Sequence, residues 1–432
     1  MCALSSAKVS YSQDLRLLGG ALTNTFLPPE VSLQLPAPLI PERSARYNFH
    51  IDGHAQFHTT FDLLEPSQKA KVGPLFNHSS CGGCHVQDGK GPIKFGKNGN
   101  GSTMLIKVSL KGLNRDGTTK NIPGTPEQIQ DHQVTGKSPY NISLKWTESR
   151  GKNSDGTIVK LRKPLLSFAI PGVDRKKVVS SLRMSPSIIG MGLLEAVPDS
   201  TLIAMSDPYD LDRDGISGEV NYVIDAESNT KKIGRFGFKA SHPTVRQQSA
   251  AALFHDMGVT SSMFNDTFED PEITDENLEK MTFYQQLAGV SPAINQDHPD
   301  VIAGKQIFQD INCHACHTMT LKTASTHINP EIVNQEFHPF TDLLLHNMGA
   351  GLADSRAEFD AAGSEWRTTP LWGLRVHKLL SKAKPGFLHD GRARTVEEAI
   401  QWHDGEAKAS RKAFRALSAA DRAKLLKFLD SI

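Results

Sequence analysis

No apolar run in this sequence approaches the roughly 18 residues that a membrane-crossing helix needs, so no transmembrane helix is expected. Net charge is nearly absent too. Forty-eight Lys and Arg stand against 47 Asp and Glu, leaving +1 at pH 7. Nothing in that balance argues for nucleic acid or an anionic membrane surface as a partner. Cysteine is scarce, with five residues in 432, and four of the five fall in two tight clusters. What is present is the composition of a soluble globular protein, 38% hydrophobic and 22% charged, in a chain long enough for two or three domains.

The clusters read Cys81-Gly82-Gly83-Cys84-His85 and Cys313-His314-Ala315-Cys316-His317. Both are C-x-x-C-H, the pattern of c-type haem attachment. The chemistry fixes the spacing. Two thiols add to the two vinyl groups on one porphyrin edge, and the next residue, His, lies under the ring and ligates the iron. Two other chemistries use C-x-x-C. A redox dithiol needs no His at the next position. A four-Cys zinc site usually has its pairs closer in sequence than Cys84 and Cys313. Two independent C-x-x-C-H motifs therefore imply two covalently bound haems, with His85 and His317 as proximal ligands. Covalent attachment takes place outside the cytoplasm, so export to the periplasm or cell envelope is expected.

The first residues, Met1-Cys2-Ala3-Leu4-Ser5-Ser6, offer neither a basic n-region nor an apolar h-region. The expectation is a signal peptide already cut away, or a chain that begins near the mature end. Cys2, the odd cysteine, suits either the lipidated first residue of a lipoprotein or an incidental free thiol.

Along the chain, residues 1–45 are rich in Pro, Ser and Leu and read as an extended arm. Residues 46–285 hold the first motif and residues 286–432 the second. Gly73-Pro74-Leu75-Phe76-Asn77 precedes one motif and Gly304-Lys305-Gln306-Ile307-Phe308 the other. A short helix that starts at Gly, carries a Phe and runs into C-x-x-C-H opens small cytochrome c domains. Residues 100–170 add alternating stretches such as Met104-Leu105-Ile106-Lys107-Val108-Ser109-Leu110, which predict an inserted hairpin or small sheet. The last thirty residues read as amphipathic helix. The expected fold is mainly α: two cytochrome c-like haem domains, the first with an inserted β segment.

The C-terminal half contains Trp366-Arg367-Thr368-Thr369-Pro370-Leu371-Trp372-Gly373-Leu374, then Phe387-Leu388-His389-Asp390-Gly391-Arg392-Ala393 and Thr395-Val396-Glu397-Glu398-Ala399-Ile400. These blocks resemble the second domain of bacterial di-haem cytochrome c peroxidases and their MauG-like relatives. Further blocks resemble one branch, the di-haem oxidoreductases described as putative peroxidases and sometimes labelled thiol oxidoreductases. They are Ser185-Pro186 through Gly192-Leu193-Leu194-Glu195-Ala196, Asp214-Gly215-Ile216-Ser217-Gly218, Gly234-Arg235-Phe236-Gly237, Asp342 through Gly349, and Trp402-His403-Asp404-Gly405-Glu406-Ala407. The likeness runs from about residue 46 to the end.

Several side chains then become candidates. Thr395 and Glu398 form a capping box, after which Val396, Ala399, Ile400 and His403 share one helical face. A lone His on an apolar face is often a satisfied core residue, but the resemblance implies an axial ligand at this point. His403 is thus expected to complete the second haem. The first haem reads as open, with Met191 as either a distal ligand or core. The resemblance implies Glu195 as the distal acid/base, the alternative being an ion pair with an Arg such as Arg183. Asp210, Asp212, Asp214 and Ile216 match positions of an EF-hand loop, although Asn221 replaces the bidentate Glu, so calcium competes with a plain Asp-rich turn. Trp366, Trp372 and Trp402 read as packing or electron relay, and His389 and Arg392 as holding a propionate or the turn itself. His346 and Met348 have no assigned role.

The expected function is peroxide reduction by electrons passed between two haems. The donor would be a small cytochrome, a cupredoxin or a quinol-linked protein. Two alternatives stand beside it: a MauG-like oxidase of a protein or small-molecule partner, and a non-catalytic electron carrier. Thiol exchange fits worst, because haem consumes every cysteine but Cys2.

Overall fold

A computed structural model describes residues 15–25, 33–61, 72–95, 101–267, 269–380 and 386–432. Cys2 lies outside them. Secondary structure is 31% helix and 20% strand, so the mainly α expectation holds only in part.

The helices that position the site are α1 (Ala45–His58), α2 (Val245–Met257), α3 (Asp275–Leu287), α4 (Pro299–Asp310), α5 (Val396–Trp402) and α6 (Ala419–Leu429). Ser44, Thr244, Thr274, Thr395 and Ser418 each accept a hydrogen bond from the backbone N–H three residues on, satisfying a donor that the first turn leaves bare. No helix among the described residues is long and apolar enough to cross a membrane.

Two helix pairs repeat one another. α1 crosses α3, and α4 crosses α6. At each crossing a glycine meets a backbone carbonyl. A Cβ on Gly53 would collide with the carbonyl of Lys280, and a Cβ on Gly304 with that of Lys424. Only the residue without a side chain allows this approach. The second motif follows α4, as expected. The first departs from expectation: Leu75–Phe76 is a short strand paired with His132–Gln133, and the opening helix is α1, well upstream. Gly53 rather than Gly73 is therefore the counterpart of Gly304.

A second repeat precedes α2 and α5. Phe236 bridges to His242 before Thr244 caps α2, and Phe387 bridges to Ala393 before Thr395 caps α5. Left-handed residues fall at matching places, Gly237 (φ 79°) and Ala240 (φ 48°) in one loop and Leu388 (φ 67°) and Gly391 (φ 71°) in the other. One offset carries every position of the first loop onto the second. The same offset carries Ala252 onto His403.

The inserted β segment is present and runs past the predicted limit. Strand β1 (Met104–Leu113), the ribbon β2 (Asn141–Lys152) and β3 (Ile158–Ala169), and β4 (Val178–Met184) make up its main parts. β1 pairs antiparallel with β4 from Met104↔Met184 to Leu110↔Val178. The ribbon pairs from Asn141↔Ala169 to Lys152↔Ile158 and turns through Asp155-Gly156, where Gly156 is left-handed at φ 89°. Its tip rests on the C-terminal helices: Gln401 donates to Asn153 at 2.7 Å, Arg422 to Asp155 at 2.5 Å, and Ser154 N–H to the Arg415 carbonyl at 2.8 Å.

The described parts of the N-terminal arm are not free. Leu18 and Leu22 are fully buried, and Thr23 and Pro36 bridge to Val290 and Ala288 beyond α3. Apolar burial thus fixes a segment whose prolines forbid helix.

Candidate haem sites

The second motif forms a tight turn at Cys313–Ala315, where His317 N–H returns to the Cys313 carbonyl at 3.0 Å. His317 Nδ1 lies 3.0 Å from the carbonyl of Phe340 and His403 Nδ1 lies 2.8 Å from that of Ala399. Each imidazole therefore spends one nitrogen on a backbone carbonyl and keeps Nε2 for another partner, as metal-bound histidines do. The two rings have centroids 6.5 Å apart. Two imidazoles bound to opposite faces of one iron have centroids about 6.3 Å apart, given iron–nitrogen bonds of about 2 Å. A cavity lined by Cys313, Cys316, His317, His403, Phe308 and Ile400 occupies the space around them. Burial holds His403 below its ordinary pKa and brings His317 down to about 4, with His403 adding to the second shift. Both are neutral near pH 7, the form that ligates metal. Haem fits this donor set.

His403 is the residue after α5 rather than part of its face, with φ −60° and ψ 126°. The capping box forms by half. Thr395 Oγ1 accepts from Glu398 N–H at 3.0 Å, but the Glu398 carboxylate accepts from the backbone N–H groups of Arg394 (2.8 Å) and Arg162 (3.1 Å) instead. That second bond ties α5 to the ribbon.

In the first motif, Ser80 caps the turn Cys81–Cys84, its Oγ accepting from Gly83 N–H at 3.1 Å. His85 Nδ1 lies 2.7 Å from the Pro186 carbonyl, the same arrangement as His317 with Phe340. Ser185 Oγ donates to the Cys84 carbonyl at 2.8 Å and accepts from Gly91 N–H at 3.0 Å. Both glycines lie close under imidazoles: a Cβ on Gly82 would meet the His58 ring and one on Gly83 the His78 ring, and that ring would have to move. His58 packs against His54 with ring centroids 4.4 Å apart and planes tilted by 40°, and its Nε2 stands 3.6 Å from Asp88, which accepts from the Tyr284 hydroxyl. This histidine cluster escaped the sequence reading. His50, His54 and His58 recur at four-residue spacing along α1, and that periodicity was the available signal.

Burial raises the Cys81 and Cys313 thiols to about 12 and the Cys84 thiol well above its ordinary value. Zinc binding and thiol exchange both need thiolates, which this environment disfavours. Among the described residues no cluster of metal-ligating atoms joins the two cysteine pairs.

Glu195 does not pair with Arg183, which binds Glu358 instead. One Glu195 oxygen accepts from Val245 N–H at 2.8 Å at the start of α2, and the other from Gln286 of α3, with His327 at 3.6 Å. Both oxygens are thus engaged, and the carboxylate links the start of α2 to α3. The Asp loop differs as well. The carboxylates that converge are Asp207, Asp210 and Asp212, whereas Asp214 accepts from Ile216 N–H at 2.8 Å in a local turn. No flanking EF-hand helix pair is present, since strand Tyr222–Asp225 follows.

Met191 packs among the apolar core residues. Trp366 stacks on His389 with centroids 3.7 Å apart, Trp372 packs on Phe337, and Trp402 lies under Arg392. Arg392 holds the turn, binding Asp390 at 2.6 Å. His346 sits between Asp342 (2.8 Å) and Glu406 (2.7 Å), and the two carboxylates outweigh burial and raise its pKa well above the usual value. Met348 lines the cavity.

No curated protein matches the sequence. A solved structure of Kuenenia stuttgartiensis hydrazine synthase, pressurised with xenon, is similar over 100% of this chain and 99% of that one, at 13% identity and a TM-score of 0.40. The family model described as "Di-haem oxidoreductase, putative peroxidase" matches residues 117–269 and again 265–432. The matches start after the first motif and contain the second. They span Glu195, both repeated loops and His403, and this chain belongs to the di-haem oxidoreductase family.

Proposed function

We propose that the chain is a c-type di-haem peroxidase that reduces hydrogen peroxide at the first haem with electrons entering at the second. The observation that carries this reading is the difference between the repeats. His403 faces His317, whereas the matching position beyond Thr244 is Ala252. Among the described residues no imidazole stands to His85 as His403 does to His317. On this reading the second iron would take both His317 and His403, and the first would keep a position for a small ligand.

Haem, when bound, supplies iron that changes valence and passes electrons. The protein does the rest. Cys81 and Cys84, and Cys313 and Cys316, form thioethers. His85 and His317 are oriented by the Pro186 and Phe340 carbonyls. A His/His site has low potential and suits passing electrons on, and Ala252, at the position that the offset matches to His403, carries no ligating atom. Peroxide takes up two electrons and two protons and yields two waters. The donor is a small cytochrome, a cupredoxin or a quinol-linked protein outside the cytoplasm. Asp207, Asp210 and Asp212 offer a calcium site at the loop surface.

The test is a spectrum of the holoprotein, resting and half-reduced, before and after hydrogen peroxide. The expected result is one low-spin haem and one high-spin haem that responds to peroxide. Two low-spin haems in every state would leave an electron carrier. Oxidising equivalents that persist until a protein partner consumes them would point to the MauG-like alternative.

A further inference from the structure

The cavity around His317 and His403 is lined by one cation, Lys90, with no ion-pair partner among the described residues. Lys90 follows His85 by five residues and belongs to the first motif's segment, yet its side chain lines the second motif's cavity beside Phe387, with Nζ 5.2 Å from that ring. The other cations around the cavity are occupied. Arg411 binds Asp404 at 3.0 Å, His346 lies between Asp342 and Glu406, and Arg367 donates to the carbonyls of Gly237 and Thr368. Lys90 forms no hydrogen bond or ion pair with any described residue. Burial alone draws its pKa down to about 8.

An ammonium in an apolar cavity without a counter-ion is unfavourable. Its backbone is also held. Gly89 N–H bonds to the Val86 carbonyl at 3.0 Å, Ile188 N–H to that of Asp88 at 3.1 Å, and Gly91 N–H to Ser185 Oγ at 3.0 Å. The site thus presents a positive charge on an anchored backbone, with no anion beside it among the described residues. Haem brings two carboxylates.

We propose that Lys90, carried by the first C-x-x-C-H segment, binds a propionate of the second haem. This rests on the reading that the cavity holds that haem. The segment leaving one haem's proximal ligand thereby supplies the counter-charge of the other, and a positive charge beside the second haem favours its reduced state.

The test uses holoprotein variants K90M, K90Q and K90R in a potentiometric titration that follows the low-spin second haem. Loss of the charge in K90M and K90Q moves its midpoint to lower potential, with the reduced fraction at a fixed poise falling roughly tenfold. K90R stays close to wild type. K90Q keeps a polar head of similar reach, so it serves where K90M loses haem. An unchanged second midpoint in K90Q, or a shift confined to the first haem, overturns the proposal. The spectra keep this separate from the peroxidase reading, because the peroxide response of the first haem reports on that reading whatever the midpoint does.

Discussion

The backbone N–H of Met184 donates to the carbonyl of His389 at 2.8 Å. Two residues later the Pro186 carbonyl accepts from the His85 ring. Three consecutive residues at the end of β4 therefore connect the lining of one haem cavity with the proximal ligand of the other. Ser185, between them, is tied to Cys84 and Gly91. The Ser185→Ala variant leaves the Cys84 carbonyl and Gly91 N–H without this partner, at a cost of about 1–3 kcal/mol. Denaturant unfolding of the holoprotein measures it, and a loss under 0.5 kcal/mol would show that the link is dispensable.

Ala252→His tests the repeat directly. If Ala252 stands where His403 stands, the new imidazole reaches the first haem, converts it to a low-spin species and abolishes the peroxide response. The mirror change, His403→Ala, makes the second haem high-spin. Electronic absorption and electron paramagnetic resonance read both. An Ala252→His variant with an unaltered high-spin signal would break the correspondence.

Glu195→Gln separates a clamp from an acid/base. The amide oxygen can still accept from Val245 N–H, so turnover is expected to fall less than tenfold. Loss of a true acid/base lowers kcat by about 10²- to 10⁴-fold, and a drop of that size would restore Glu195 to the catalytic machinery.

His346 makes stability depend on pH. Its folded-state pKa is raised, so its contribution is fully present below the unfolded value near 6.5 and is lost as pH rises through the folded value. The difference in unfolding free energy between wild type and His346→Gln should be largest near pH 6 and shrink at high pH. Near pH 6 it is about 3–5 kcal/mol, because the variant leaves Asp342 and Glu406 facing each other in the interior.

Gly304→Ala places a methyl against the Lys424 carbonyl. The helices must part, which costs about 1–3 kcal/mol or more. Thermal unfolding of the holoprotein gives the value, and the matching Gly53→Ala variant should lose a similar amount.

The two C-x-x-C-H motifs were legible in sequence because thioether chemistry dictates the spacing, whereas the Pro186 and Phe340 carbonyls that orient His85 and His317 were not. The resemblance, more than the helical period, pointed to His403, whose ring centroid lies 6.5 Å from that of His317 although the helix stops one residue short of it. The opening helix of the first unit was misplaced. Gly73 and Phe76 mimic a local pattern, and only the crossing of α1 with α3 identifies Gly53. The loop repeat was hidden for a related reason. Gly237 matches Leu388 and Ala240 matches Gly391, so shared backbone angles survive where side chains do not. The partners of Glu195 were hidden because Val245 and Gln286 lie far away in sequence, and nothing local announces them. The packing of Leu18 and Leu22 is likewise set by contacts with distant Val290.

The ribbon tip has a consequence for how the chain is made. Asn153 rests on Gln401, 248 positions later, and Asp155 on Arg422, 267 positions later. At about 5–20 residues per second, those partners leave the ribosome some tens of seconds after the ribbon does. Through that interval β2 and β3 are a two-stranded hairpin whose tip residues Asn153 and Asp155 lack those partners. A truncated or stalled chain therefore leaves the ribbon tip without the contacts that fix it against the last helices.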